Sequence, residues 1–257
     1  MTHLSRPLLL LLSVCVTGLL VVLWQLIADA GLVSRVFLPG PDRAWAALVN
    51  GFATGRLPGL WLGTIERMFY GWALASIIGI GLGAAIGVSP TARAYLSTLL
   101  ELIRPLPASA IIPVAIAFLG LSETMVLSTI AFGALWPTLL ATIHGFSTVH
   151  PRLYEVGEAM GMSKWATIWK ISLPNSMADI LAALRLSMTV ALILAVVGEM
   201  LASRDGLGSW ILQAARSFRA QDLFAGVILL GVTGFVTSAI LNLLEKRLLR
   251  WRPTGVN

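Results

Sequence analysis

The sequence predicts an all-α polytopic transmembrane helical bundle with about six transmembrane helices. Three observations predict it. Of the 257 residues, 57% are hydrophobic and only 12% charged, with a mean hydropathy of +0.87, whereas soluble domains are roughly 45–50% apolar and about 25% charged. Apolar stretches near or above the roughly 20 residues that cross a bilayer as a helix recur along the whole length. Between two of them lies a polar segment from His144 to Asn175 that does not span. The chain is expected to form a single membrane domain over 1–257, with an extra N-terminal helix near 8–30, a core near 64–245 and a loop near 148–174.

The first apolar run, Leu8 to Ala28, is about 21 residues long, against about 7–15 for the apolar part of a signal peptide, so an uncleaved first membrane helix is expected. Pro39-Gly40-Pro41-Asp42 then signals a turn, and Ala44, Trp45, Leu48, Val49 and Phe52 fall at the spacing of a short interfacial helix. The second span is expected from Thr64 to Val88, closed by Ser89-Pro90. Within it Gly79, Gly83 and Gly87 recur every fourth residue and form a face on which a neighbouring backbone can lie close.

A third apolar region runs from Ala94 to Ile103 and resumes from Pro107 to Gly120 with Pro113 inside. A 14-residue helix rises only about 21 Å, short of the roughly 30 Å hydrocarbon core, so a broken helix is expected here. Leu121-Ser122-Glu123 reads as a tight turn before a fourth span, Met125 to Ile143, kinked at Pro137. The fifth and sixth spans are expected at Met177–Met200 and Leu223–Leu244.

Charge excludes other classes and orients the chain. The net charge of +6 comes from scattered cations rather than one basic face, so no nucleic-acid partner is expected; membrane lipids are. With the N-terminus in the cytoplasm, Arg6, Arg93, Arg104, Arg152, Lys164, Lys170, Lys246, Arg247, Arg250 and Arg252 fall inside. Arg35, Arg43, Arg56, Arg67, Arg204, Arg216 and Arg219 fall outside. Ten against seven is a weak positive-inside bias. The lone Cys15 builds neither a disulfide framework nor a metal site. No phosphate-binding glycine loop is present, and His144 and His150, six apart, read as loop residues with no nucleophile or carboxylate pair beside them. No catalytic residue, cofactor or metal is therefore expected.

Residues 148–174 describe two short helices and a turn. Thr148 can cap and Pro151 suits a first helical turn, while Gly161 supplies a left-handed terminus. Ser163 can cap a second helix placing Trp165, Ile168, Trp169 and Ser172 near one face, ended by Leu173-Pro174. Ser176 with Asp179 then gives a capping pattern before the fifth span.

The same segment reads Glu155-Val156-Gly157, three residues, Gly161, nine residues, Ile171, one residue, Leu173-Pro174. This spacing resembles the "EAA" loop of ABC importer permeases, with Val156 and Gly157 standing where that pattern has two alanines. Leu38-Pro39-Gly40-Pro41, Arg67 with Gly71, Arg104-Pro105-Leu106-Pro107, Ile112-Pro113, Gly198-Glu199-Met200 through Gly206-Leu207-Gly208, and Leu244-Glu245-Lys246-Arg247 through Trp251-Arg252-Pro253 extend the similarity in order. They resemble the branch serving sulfonates, taurine and nitrate. The resemblance implies a permease subunit of the bacterial inner membrane for a small anionic or polar solute. Its loop, with Glu155, Gly157, Gly161, Ile171, Leu173 and Pro174, would be the cytoplasmic coupling element docked on an ATP-binding subunit present in two copies. A periplasmic or lipid-anchored solute-binding protein and a second permease protomer, making a homodimer, are implied as well.

Two charges in or beside spans carry alternatives. Arg185 would pair or snorkel, or else face an anion pathway, and Glu199 would contact the binding protein or cap the fold. The competing class is an ion-gradient-driven secondary transporter; matching broken helices and buried coupling carboxylates are its signature, and the sequence presents neither.

Overall fold

A computed structural model describes residues 6–34 and 36–251. Arg35 and Arg252, counted in the charge bias, and Pro253 of the tail pattern lie outside the described residues. The described chain is helical from end to end, in two compact units. The first comprises residues up to Leu60 together with Trp210–Gly231, and the second comprises Trp61–Ser209 with residues from Val232 on. Among the described residues, five helices are long and apolar enough to cross a membrane: Leu11–Asp29, Arg56–Val88, Glu123–Ser147, Lys164–Ala202 and Ala220–Leu248.

The first unit holds α1 (Arg6–Asp29) and α2 (Pro41–Ala53). Trp24 at the end of α1 donates through its indole Nε1 to the Pro39 carbonyl at 3.0 Å, which pins the turn that the Pro-Gly-Pro signal required. Pro41 opens α2 at a position where a missing N–H costs nothing. Gly55, at φ +72°, separates α2 from α3 (Arg56–Val88). The second span thus begins at Arg56 rather than Thr64, because Pro58 sits in the first turn, where no intrahelical donor is needed.

In the second unit, α3 packs its glycine face on α6 (Glu123–Ser147). A Cβ at Gly83 would lie 2.6 Å from the Thr142 Cβ and 2.8 Å from the Leu139 carbonyl, and one at Gly87 2.6 Å from the Phe146 Cβ. Gly79 faces Thr138 in the same way, so the four-residue repeat is a close backbone contact. Ser89 caps α4 (Pro90–Ile103), accepting from Ala92 N at 3.2 Å. α4 and α5 (Ala108–Leu119) meet at 87°, which makes the third apolar region a broken span or a re-entrant loop. Counted as one span, the pair brings the total to six.

α6 begins at Glu123, capped by Ser122, which accepts from Met125 N at 3.1 Å. It runs past Pro137 to Ser147, so His144 lies in its last turn and not in a loop. It packs along α9 (Leu173–Ala202) at several heights: Gly133 against Leu194, Ser187 Oγ donating to Ala134 O at 2.6 Å, and Gly145 against Ser176. Met68, Ala75, Ile112, Met125, Val126, Ile130, Ala134, Met188, Ala191 and Leu194 close the core between α3, α5, α6 and α9. A helix not expected from sequence, α10 (Leu207–Arg216), precedes the last span, α11 (Ala220–Leu248). Its signal was Leu207, Trp210, Ile211 and Ala214 at i, i+3, i+4 and i+7, all buried.

Replacing Gly83 by leucine should cost about 1–3 kcal/mol through overpacking against α6. Replacing Gly81, which meets nothing within 4 Å, should be near neutral, and thermal unfolding of the purified protein separates the two.

Candidate functional site

Two constellations occupy the second unit, one at each end of α9. The first is the segment between α6 and α9, where α7 (Pro151–Ala159) is followed by the single turn α8 (Lys164–Thr167). Pro151 sets the register, so the cap falls on His150, whose Nδ1 accepts from Arg152 N at 3.2 Å. Thr148, expected to cap, instead terminates α6, donating its hydroxyl to Gly145 O at 3.2 Å.

α7 ends in a complete Schellman motif. Gly161 adopts φ +68°, its N–H bonding Glu158 O at 2.9 Å while Met162 N–H bonds Gly157 O at 2.9 Å. Gly157 is buried, and a Cβ there would stand 3.3 Å from Ile171 Cδ1 and 3.7 Å from Met162 Sδ. The glycine that replaces an alanine of the resembled pattern is thus the point where α7 rests on the following helix. Tyr154 adds a hydrogen bond to Ser172 at 3.1 Å. Of the six residues singled out from the sequence, the fold brings Gly157 and Ile171 together and uses Gly161 for the turn. Glu155 projects into solvent, and Leu173 and Pro174 are half-buried.

Ser163 caps α8, accepting from Ala166 N at 3.2 Å, but Leu173-Pro174 does not end the helix. Ile168–Ser172 widens into a π turn, with Leu173 N–H bonding Ile168 O. Proline lacks a donor and its ring crowds the carbonyl four residues back, so a wider turn just ahead of Pro174 absorbs both defects. The helix therefore continues from Lys164 to Ala202 over 39 residues. Ser176 is no cap: it is buried inside α9 and donates to Ser172 O at 2.8 Å.

The second constellation surrounds Glu199, which is fully buried. Its carboxylate accepts from Thr64 Oγ1 at 3.0 Å, Arg67 Nη1 at 3.0 Å and Gly208 N at 2.9 Å. Arg67 also bonds Glu123 at 2.7 Å and the Asp205 carbonyl at 2.8 Å, and Arg204 reaches Glu123 at 3.2 Å. A side chain at Gly206 would collide with this carboxylate, and one at Gly208 would lie 3.0 Å from the Glu199 Cβ. A Glu199 so enclosed cannot touch a binding protein, so the capping alternative holds. Arg185 is paired, with Glu245 at 3.5 Å and Asn242 at 3.4 Å. Among the described residues no cluster of three or more metal-ligating side chains occurs.

Residues 77–250 match the family described as binding-protein-dependent transport system inner membrane component. The chain belongs to that family. It is 32% identical over 239 residues to a putative aliphatic sulfonates transport permease protein of Bacillus subtilis, covering 91% of this chain and 85% of the relative. It is 28% identical to the taurine transport system permease protein of Escherichia coli, over 93% of this chain and 89% of that one. A crystal structure of an amino acid ABC transporter shares the fold, with a TM-score of 0.60 at 17% identity over 79% of this chain and 97% of that one. The protein is a multi-pass, non-catalytic inner-membrane permease of an ABC importer, and a gradient-driven secondary transporter is not favoured.

The Glu199 network yields a graded prediction. Arg67→Ala leaves a buried carboxylate short of its counter-charge and should cost about 3–5 kcal/mol. Arg204→Ala removes a pair exposed to 42% on both sides and should cost about 0–1 kcal/mol. Unfolding midpoints in detergent measure both.

Proposed function

We propose that this permease forms the pathway for a small anionic or polar solute of the sulfonate, taurine or nitrate kind, and that α7 and α8 are its grip for a separate ATP-binding subunit. The single observation that carries the coupling role is the unbroken helix from Lys164 to Ala202. A push on α8 moves a rod about 58 Å long, with the Glu199 network near its far end. Its only wide turn sits where α7 rests on it through Gly157 and Ile171.

In this reading Glu155, Gly157, Gly161, Ile171, Leu173 and Pro174 are the coupling residues. Gly161 and its Schellman bonds make α7 stiff, so displacement is transmitted rather than absorbed. Exposed Trp165 and Trp169, at 71% and 63%, offer apolar contact area beside the exposed Glu155. The segment lies in the cytoplasm, as do both termini, in line with the positive-inside bias. The whole chain acts as one permease domain, pairing with a second copy of itself. Two ATP-binding subunits sit below, and a solute-binding protein in the periplasm or tethered to lipid delivers the cargo. The sulfonate class rests on the names of the aliphatic sulfonate and taurine relatives.

Gly161→Ala should strain the turn by about 1–2 kcal/mol, and Gly161→Pro or Glu155→Arg should leave the protein inserted while uncoupling it from ATP hydrolysis. Proteoliposomes holding permease, ATP-binding subunit and binding protein would show ATP-dependent uptake of radiolabelled taurine, lost in both variants. Uptake that survives in the variants, or proceeds without the ATP-binding subunit, overturns the coupling role.

A further inference from the structure

The first unit contains a cavity of about 410 Å³ that the coupling role does not use. Its lining includes Arg43 and Asn50 of α2, Arg56 at the start of α3, Trp210 of α10, and Arg219 with Asp222 at the start of α11. Arg219 is neutralised by Asp222 at 2.9 Å. Arg43 and Arg56 have no carboxylate partner among the described residues. The cavity therefore carries two uncompensated guanidinium charges, an indole wall and neutral amide donors.

The face of α2 that lines the cavity decides which phase its occupant comes from. Trp45, Val49 and Phe52 form an exposed apolar stripe at i, i+4 and i+7, at 62%, 49% and 39% exposure. Arg43, Ala47, Asn50 and Thr54 lie on the opposite face of the same helix. A helix whose apolar stripe lies in the membrane interface turns its other face to water. With the stripe of α2 placed in the interface, as its composition favours, the cavity-lining face turns to water, which points to a water-borne occupant.

We infer that this cavity is a receiving site for a small oxoanion of the sulfonate or sulfate class, held by the guanidiniums of Arg43 and Arg56. Size and chemistry agree: pockets for small ligands run about 300–1,000 Å³ with a few convergent polar groups on an apolar wall. A guanidinium offers a planar fork of N–H donors that matches a tetrahedral oxoanion in a way a lysine does not. The first turns of α3 and α11, whose N–H groups have no intrahelical acceptors, add positive potential to that of the arginines. A volume of this kind suits a solute better than the flat face of a protein. The identity of the anion as cargo rests on the proposed sulfonate transport; its binding does not.

The test uses the full chain in nanodiscs of neutral lipid, with no binding protein present, and measures equilibrium binding of radiolabelled ethanesulfonate, competed by sulfate. Saturable binding is expected. Arg43→Gln and Arg56→Gln should each weaken it about tenfold, the loss of one charge-assisted hydrogen bond. Arg216→Gln, an equal loss of charge at an exposed residue of α10 outside the cavity lining, should leave it unchanged. Arg43→Lys should recover part of the affinity, which separates anion contact from a folding defect. No saturable binding, or an equal loss in Arg216→Gln, overturns the inference. If ethanesulfonate and sulfate bind but no sulfonate is taken up by the full transporter, the cavity stands and the cargo assignment falls. If sulfonate uptake persists undiminished with no binding to the permease alone, the cargo stands and the cavity falls.

Discussion

A buried carboxylate sets the terms for one end of this bundle. Glu199 has no exposed surface, and removing an ionised group from water costs several kcal/mol even after the protein relaxes. That cost is offset only by complete hydrogen bonding, and the surrounding residues supply it: a hydroxyl from Thr64, a guanidinium from Arg67 and the amide of Gly208. The partners arrive from two places, Thr64 and Arg67 from α3 and Gly208 from the first turn of α10. Gly206 and Gly208 follow from the same constraint, since a side chain at Gly206 would occupy the space of the carboxylate. Arg67 then extends the lock to the first turn of α6 through Glu123. Three spans are therefore registered by one charge.

This explains which parts of the chain were legible before the fold was known. The spans announced themselves through length and hydropathy, because a bilayer demands runs of apolar residues that no other environment does. Gly79, Gly83 and Gly87 were legible because close approach between backbones admits nothing larger. Arg67, Gly71, Gly206 and Gly208 stood out only by resemblance, and Glu199 also as a charge beside a span, but nothing in their spacing reveals that residues 67 and 199 meet. Side-chain partnerships between distant spans leave no periodic trace.

The misread elements share a cause as well. Thr148, Leu173-Pro174 and Ser176-Asp179 carry correct local signals for caps and stops, yet the helix runs through the last two. Pro174 can sit in a continuous helix because the π turn at Ile168–Ser172 widens the groove its ring would otherwise strike. Packing of Ser176 against Gly145 rewards that continuation. α10 escaped notice for the opposite reason: its buried face is only four residues wide, and charged neighbours hide it in any average over hydropathy. Local signals lost wherever a long packed helix gained more from continuing than from stopping.

The weak charge asymmetry of the loops has the same kind of explanation. Positive-inside bias arises because cations are costly to move across the membrane, and it is clearest when outer loops have no use for them. Of the seven cations assigned outside, Arg67 and Arg204 are bound to the glutamates of the Glu199 network. Arg43, Arg56 and Arg219 line one cavity. Five of these seven thus have local partners or a shared site in the folded chain. An orientation read from charge alone gives every cation equal weight, although the fold commits five of the seven assigned outside to ion pairs or to one cavity.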